Sequence, residues 1–99
     1  MIRHIVSWKL AAEDAATKAE QSAKIAASLN ALVSVVPEIK SLTVASNVAD
    51  IAGNWDLVLI ADYDDLAGLE TYIAHPEHQK VAGYIRSVVA ERSAVDFEL

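Results

Sequence analysis

The sequence predicts an α+β domain built on one four-stranded antiparallel sheet. Three observations predict it. Two segments, one at the N-terminus and one past the middle, alternate apolar residues with a period of two and read as central strands. An alanine-rich segment between them spaces its apolar residues three or four apart and reads as a long helix. A second helical region, broken by a proline, then leads into a closing strand. The chain has 99 residues, the size of one small domain. No repeat, linker or low-complexity tract divides it.

Each element follows from local pattern. Residues 1–10 form the first strand, with Ile2, His4, Val6, Trp8 and Leu10 on one face. Glu13 and Asp14 suit the start of the helix. Its stripe is Ser22, Ile25, Ala26, Leu29, Leu32, Val33 and Val36, about six turns, ended by Pro37. Residues 39–48 alternate loosely and predict a more exposed strand. Asp50 to Asn54, with Gly53, predict a turn. WDLVLIADY, Trp55 to Tyr63, is the clearest strand; Trp55, Leu57, Leu59, Ala61 and Tyr63 share one face, Val58 and Ile60 the other. Asp64 or Asp65 caps a short helix over Leu66 to Ala74. Pro76 suits the first position of a further helix, with His75 just before it, running to about Val89. Residues 91–98 close the chain as a strand.

The order strand, helix, strand, strand, helix pair, strand matches the ferredoxin-like βαββαβ arrangement, whose first and third strands lie in the middle. The two helical segments cover only one face of such a sheet. Yet Ile5, Val58 and Ile60 make the other face apolar as well, and a sheet apolar on both faces needs cover on both. A second copy, packed sheet against sheet in a twofold homodimer, is the predicted cover. The hydrophobic content of 54% in so short a chain agrees with extra buried surface.

Composition excludes several functions. A net charge of −6 argues against nucleic acid and against acidic membranes. With no cysteine there is no disulfide or thiolate zinc site. MIRHIVSWKL is too short and polar for a signal peptide, and no apolar run approaches the ~20 residues of a bilayer span. A cytoplasmic location is the default expectation, and no cofactor is expected.

MIRHIVSWKL, WDLVLIADY, LETYIAHPEHQKVAGYIRSVV and the ending VDFE together resemble the stress-responsive dimeric A/B barrel domain family. The resemblance covers nearly the whole chain. Its most specific parts are His4 and the YxxHPxHxxV pattern of Tyr72, His75, Pro76, His78 and Val81. It implies a ferredoxin-like monomer that pairs into a dimeric α/β barrel. Activities in the family are mostly unassigned, though a plant member is a polyketide cyclase making olivetolic acid. The resemblance implies that His4, Tyr72 and His78 lie in a pocket between sheet and helices, with His78 as part of an acid/base pair. Two polar residues of that cyclase pocket align with Leu57 and Leu29, so the pocket here is more apolar.

The residues themselves allow bland and sharp readings. His78 could serve as a general base, since imidazole titrates near neutral pH, with Tyr72 orienting a substrate oxygen. His4 shares the strand face of Trp8 and could meet His78 across the helix–sheet layer. The bland reading makes both histidines core residues with one hydrogen bond each. His75 reads as a joint residue and weak cap. His75 and His78 are three apart, but the proline-broken helix start spoils a metal pair, so no metal site is expected. Tyr63, Tyr72 and Tyr84 read as core edges with wet hydroxyls. Asp56 and Asp62 lie toward the expected dimer face, to pair with Arg3, Lys9 or Arg92. Three functions follow in order of preference: a stress-associated dimer without chemistry of its own; a binder of a small apolar molecule, lined by Leu29, Leu57 and Trp8; and a cyclase or lyase using His78, Tyr72 and His4. An open cavity beside His78 favours the second and third, and a packed interior the first.

Overall fold

A computed structural model describes residues 1–99. The element order is β1 (Ile2–Leu10), α1 (Ala15–Ala31), a 3-10 turn (Leu32–Ser34), β2 (Ser41–Ser46), β3 (Leu57–Tyr63), α2 (Leu66–Ala74), α3 (Pro76–Val88) and β4 (Val89–Glu98). The sheet is antiparallel throughout, in the order β2-β3-β1-β4. This is the ferredoxin-like arrangement, with the two most apolar strands in the middle.

The sheet sorts its side chains by parity. Ile2, His4, Val6, Trp8 and Leu10 are all buried, and so are Leu57, Leu59, Ala61 and Tyr63. These meet Ile25, Leu29, Leu32 and Val36 of the first helical segment, together with Leu69, Tyr72 and Ile85. Burial of such side chains at roughly 1.5–3 kcal/mol each is the main force holding helices to sheet. On the opposite face Ile5, Val58 and Ile60 are half-buried, and Val95 and Phe97 of β4 are exposed.

The helix starts and stops have local causes. Thr17 N–H donates to Asp14 Oδ2 at 2.8 Å, and Gly68 N–H donates to Asp65 Oδ1 at 2.8 Å, so Asp65 and not Asp64 caps α2. His75 alone separates α2 from α3. Its backbone is extended, as the following proline requires, and its Nδ1 accepts from Glu77 N–H at 3.1 Å. Gly53 has φ +94°, and the turn before β3 needs it there.

Several expected boundaries differ. The first helix is α-helical only to Ala31; Val35 N–H and Val36 N–H both donate to the Leu32 carbonyl, which tightens the last turn ahead of Pro37. Val33 is consequently 44% exposed and leaves the apolar stripe, while Leu32 and Val36 keep it. β2 is shorter than the loose alternation over 39–48, β3 begins at Leu57 and not Trp55, and β4 begins two residues early, at Val89. Asp56 does not face a sheet arginine. It accepts from Leu10 N–H at 2.8 Å and from Lys18 Nζ of α1 at 3.4 Å, because it precedes the strand and turns toward the helix start. Asp62 does pair with Arg3, which lies directly opposite on β1. Arg92 sits opposite Trp8, on the helix side of the sheet, and so cannot serve the outer face.

Candidate functional site

Between the sheet and helices α2 and α3 lies a cavity of about 270 Å³. Strand β1 contributes His4, Val6 and Trp8 to its wall, by the strict alternation of that strand. Leu29 of α1 and Leu59 of β3 supply apolar floor. From the α2–α3 region come Tyr72, His78, Gln79 and Arg86, and from β4 comes Arg92. Of the residues singled out from sequence, His4, Tyr72, His78, Trp8 and Leu29 thus meet in one cavity. Leu57 does not. It is buried beneath the sheet opposite Trp8 and borders a different groove, at the β2–β3 end. Sequence reasoning missed Gln79, Arg86 and Asp96. Arg86 was findable: it follows His78 by eight residues and Ala82 by four, on the same face of α3.

The two histidines are held by different partners. His78 Nδ1 lies 2.9 Å from the carbonyl oxygen of Ile73. A carbonyl only accepts, so Nδ1 carries the proton and Nε2 keeps its lone pair in the neutral ring. Gln79 Nε2 donates to the same carbonyl at 2.7 Å, which fixes the α2–α3 joint from a second side. Burial lowers the His78 pKa; the Ile73 hydrogen bond opposes this, and His4, Arg92 and Arg86 reinforce it. His78 is therefore neutral at pH 7, with a basic Nε2. His4 is buried, and its Nδ1 pairs with the carboxylate of Asp96 across the β1–β4 ladder. A carboxylate only accepts, so His4 Nδ1 is the donor of this pair.

Tyr72 sits between them. Its ring centroid is 4.3 Å from that of His78 and 6.4 Å from that of His4, and Tyr63 packs behind at 5.3 Å. The hydroxyls expected to be wet are sealed instead. Tyr63 Oη and Tyr72 Oη are both buried and neither has a partner of good hydrogen-bond geometry, although each is close enough to influence the other's titration. Burial pushes the Tyr72 phenol up to about 12 and the Tyr63 phenol higher still. Tyr84 is different: it lies outside the cavity, beneath Lys24 Nζ at 4.1 Å from the ring centroid. No group of three His, Asp or Glu side chains gathers to hold a metal ion.

The family model for the stress responsive A/B barrel domain matches residues 2–99. The chain belongs to that family. Among solved structures, this A/B barrel domain is similar to a dimeric ferredoxin-like protein of unknown function from Thermobifida fusca, with 31% identity, a TM-score of 0.82, and coverage of 99% of this chain and 90% of that one. It is also similar to a dimeric protein of unknown function from Bacteroides fragilis, with 24% identity, a TM-score of 0.91, and coverage of 99% and 95%. The hydroxynitrile lyase of Passiflora edulis shares the fold at 15% identity, with a TM-score of 0.82 and coverage of 99% and 92%. No curated protein matches the domain in sequence. No helix of the domain is long and apolar enough to cross a membrane.

Proposed function

We propose that this A/B barrel domain is a homodimeric, stress-response-type protein that binds a small, largely apolar molecule in the cavity beside His78, without a required chemical step. One observation carries the reading: the space beside His78 is open, and apolar walls surround a few polar groups that converge on it. The buried Tyr72 hydroxyl supports it: its polar neighbour is the equally buried Tyr63 hydroxyl, which leaves hydrogen-bonding capacity for a ligand or water to meet. Ile5, Val58 and Ile60 form the face for the second copy; the dimeric Thermobifida fusca relative supports that pairing.

A second reading is favoured by a specific observation. The neutral His78, with Nε2 unprotonated, could take a proton from a bound ligand, as a cyclase or lyase would require. The likeness to a hydroxynitrile lyase agrees with this but extends only to the fold.

The test uses Trp8, which borders the cavity, as reporter. Octanamide serves as a neutral apolar probe. It should change the tryptophan fluorescence of the native protein saturably. Ala82→Phe, which fills the cavity from α3, should remove the response and leave the melting temperature unchanged or higher. A response that survives the filled cavity, or no response of the native protein to octanamide, octanoate, 1-naphthamide or 1-naphthoate, overturns the reading. Proton exchange from a carbonyl probe, lost in His78→Gln with binding retained, would move the assignment to the enzyme.

A further inference from the structure

The chain has eight cationic side chains and fourteen carboxylates. Five of the cations are paired with carboxylates: Arg3 with Asp62, Lys9 with Glu91, Lys18 with Asp56, Lys40 with Asp64, and Lys80 with Glu77. A sixth, Lys24, lies over the Tyr84 ring. The two that remain are Arg86 and Arg92. Neither is engaged in an ion pair, and both line the same cavity. Acids are plentiful in this chain, yet none lines that cavity. Asp96, on the same face of β4 as Arg92, is engaged by His4.

Arg86 comes from the last turn of α3 and Arg92 from the start of β4, so they reach the cavity from two elements. Both residues are exposed, which puts them at its mouth and not in its apolar depth. Both act on the protonation of His78, so their charge is felt inside. A guanidinium presents a planar fork of donors that fits a carboxylate with two bonds. At an exposed mouth that pairing is made without the full cost of burying charge.

We propose that the cavity takes a carboxylate with an apolar body, its headgroup held at the mouth by Arg86 and Arg92 and its body among Val6, Leu29, Leu59 and Ile85. The inference rests on the cavity being a binding site and adds the chemical class of the ligand. A cavity of about 150 Å³ holds benzene, so the 270 Å³ here fits a molecule of roughly ten non-hydrogen atoms. A neutral ligand can accept a single hydrogen bond from a guanidinium but gains no charge-assisted, two-bond pairing from either.

The test is calorimetric, at low salt, with two matched pairs of probes: octanoate against octanamide, and 1-naphthoate against 1-naphthamide. The acid of at least one pair should bind roughly tenfold tighter than its amide. Arg86→Gln/Arg92→Gln should bring that acid down to its amide and leave the amide unchanged. Both side chains are exposed, so the double variant should melt as the native protein does. Equal binding of acid and amide in the native protein overturns the proposal while the cavity remains a binding site. An acid preference that persists in the double variant overturns it too. Binding of neither member of either pair removes the binding-site reading along with it.

Discussion

The rings of Tyr72 and His78 pack at 4.3 Å between centroids, inclined at 47°, with the Tyr72 hydroxyl left without a partner of good geometry. Ring packing and hydroxyl can therefore be separated by experiment. Tyr72→Phe keeps the packing and removes a buried hydroxyl whose polar neighbour, the Tyr63 hydroxyl, is not in good hydrogen-bond geometry. It should stabilise the empty protein by about 1 kcal/mol in urea unfolding. The same variant should bind cavity probes that carry an oxygen less tightly. A residue whose truncation stabilises the fold is one retained for something other than stability. Loss of stability in Tyr72→Phe would show that the hydroxyl is satisfied in solution.

His78 gives the protein a pH dependence of known sign. Its pKa in the fold lies below the unfolded value of about 6.5, because burial disfavours the charged ring. The unfolded chain then binds a proton that the folded chain resists. Stability is full above about pH 6.5 and falls as pH drops toward the folded value. His78→Gln should flatten the change in melting temperature between pH 7.5 and pH 5. His4, Arg86 and Arg92 remain in place in that variant, so the difference isolates one ring. Parallel profiles for the two proteins would mean that His78 is as well solvated as in the unfolded chain.

Arg3 and Asp62 form a two-bond pair on the outer face of the sheet, Nε to Oδ1 at 2.9 Å and Nη2 to Oδ2 at 3.0 Å, and Ser41 Oγ adds a third bond at 3.1 Å. The Arg3 hydrogen bond holds the Asp62 carboxyl below its usual range, against the opposing effect of burial. Stability from this group is present above about pH 4 and lost as pH falls through its folded pKa. Asp62→Asn should melt lower at neutral pH and lose less between pH 4 and pH 2 than the native protein. An unchanged acid limb would assign acid unfolding to other carboxylates.

The outer face can be tested by charge. Ile60→Glu places a carboxylate between Ile5 and Thr43, its neighbours across the sheet. In a sheet-to-sheet dimer that charge has no partner, and dimerisation should weaken by about 3 kcal/mol, roughly 100-fold. Light scattering across a dilution series reads this directly. A variant that stays dimeric and equally stable would place the interface elsewhere.

Legibility in the sequence followed pattern strength. The even face of β1 and the odd face of β3 are strict alternations, and they located the core and the inner position of His4. Asp65 and Pro76 carry start signals strong enough to bound α2 and α3 closely. The end of α1 was harder, since tightening to a 3-10 turn keeps Leu32 and Val36 buried and shifts only Val33. The resemblance places Leu57 at the cavity; it shares the inner face with Leu59 and pairs with Trp8, yet does not reach the cavity wall. β4 was least legible. Residues 91–98 read correctly as a closing strand, but the pairing of Arg92 and Asp96 with Trp8 and His4 depends on the register with β1, which no local pattern gives.

Arg86 and Arg92 are exposed side chains that line the cavity, so both can move aside by rotamer changes alone. Rotamer changes of exposed side chains take picoseconds to nanoseconds, far faster than loop or domain movement. Exchange of a molecule bound in the proposed site would then be set by the lifetime of its contacts with the protein. Residence time should track affinity closely, and a slow conformational phase should be missing from stopped-flow traces.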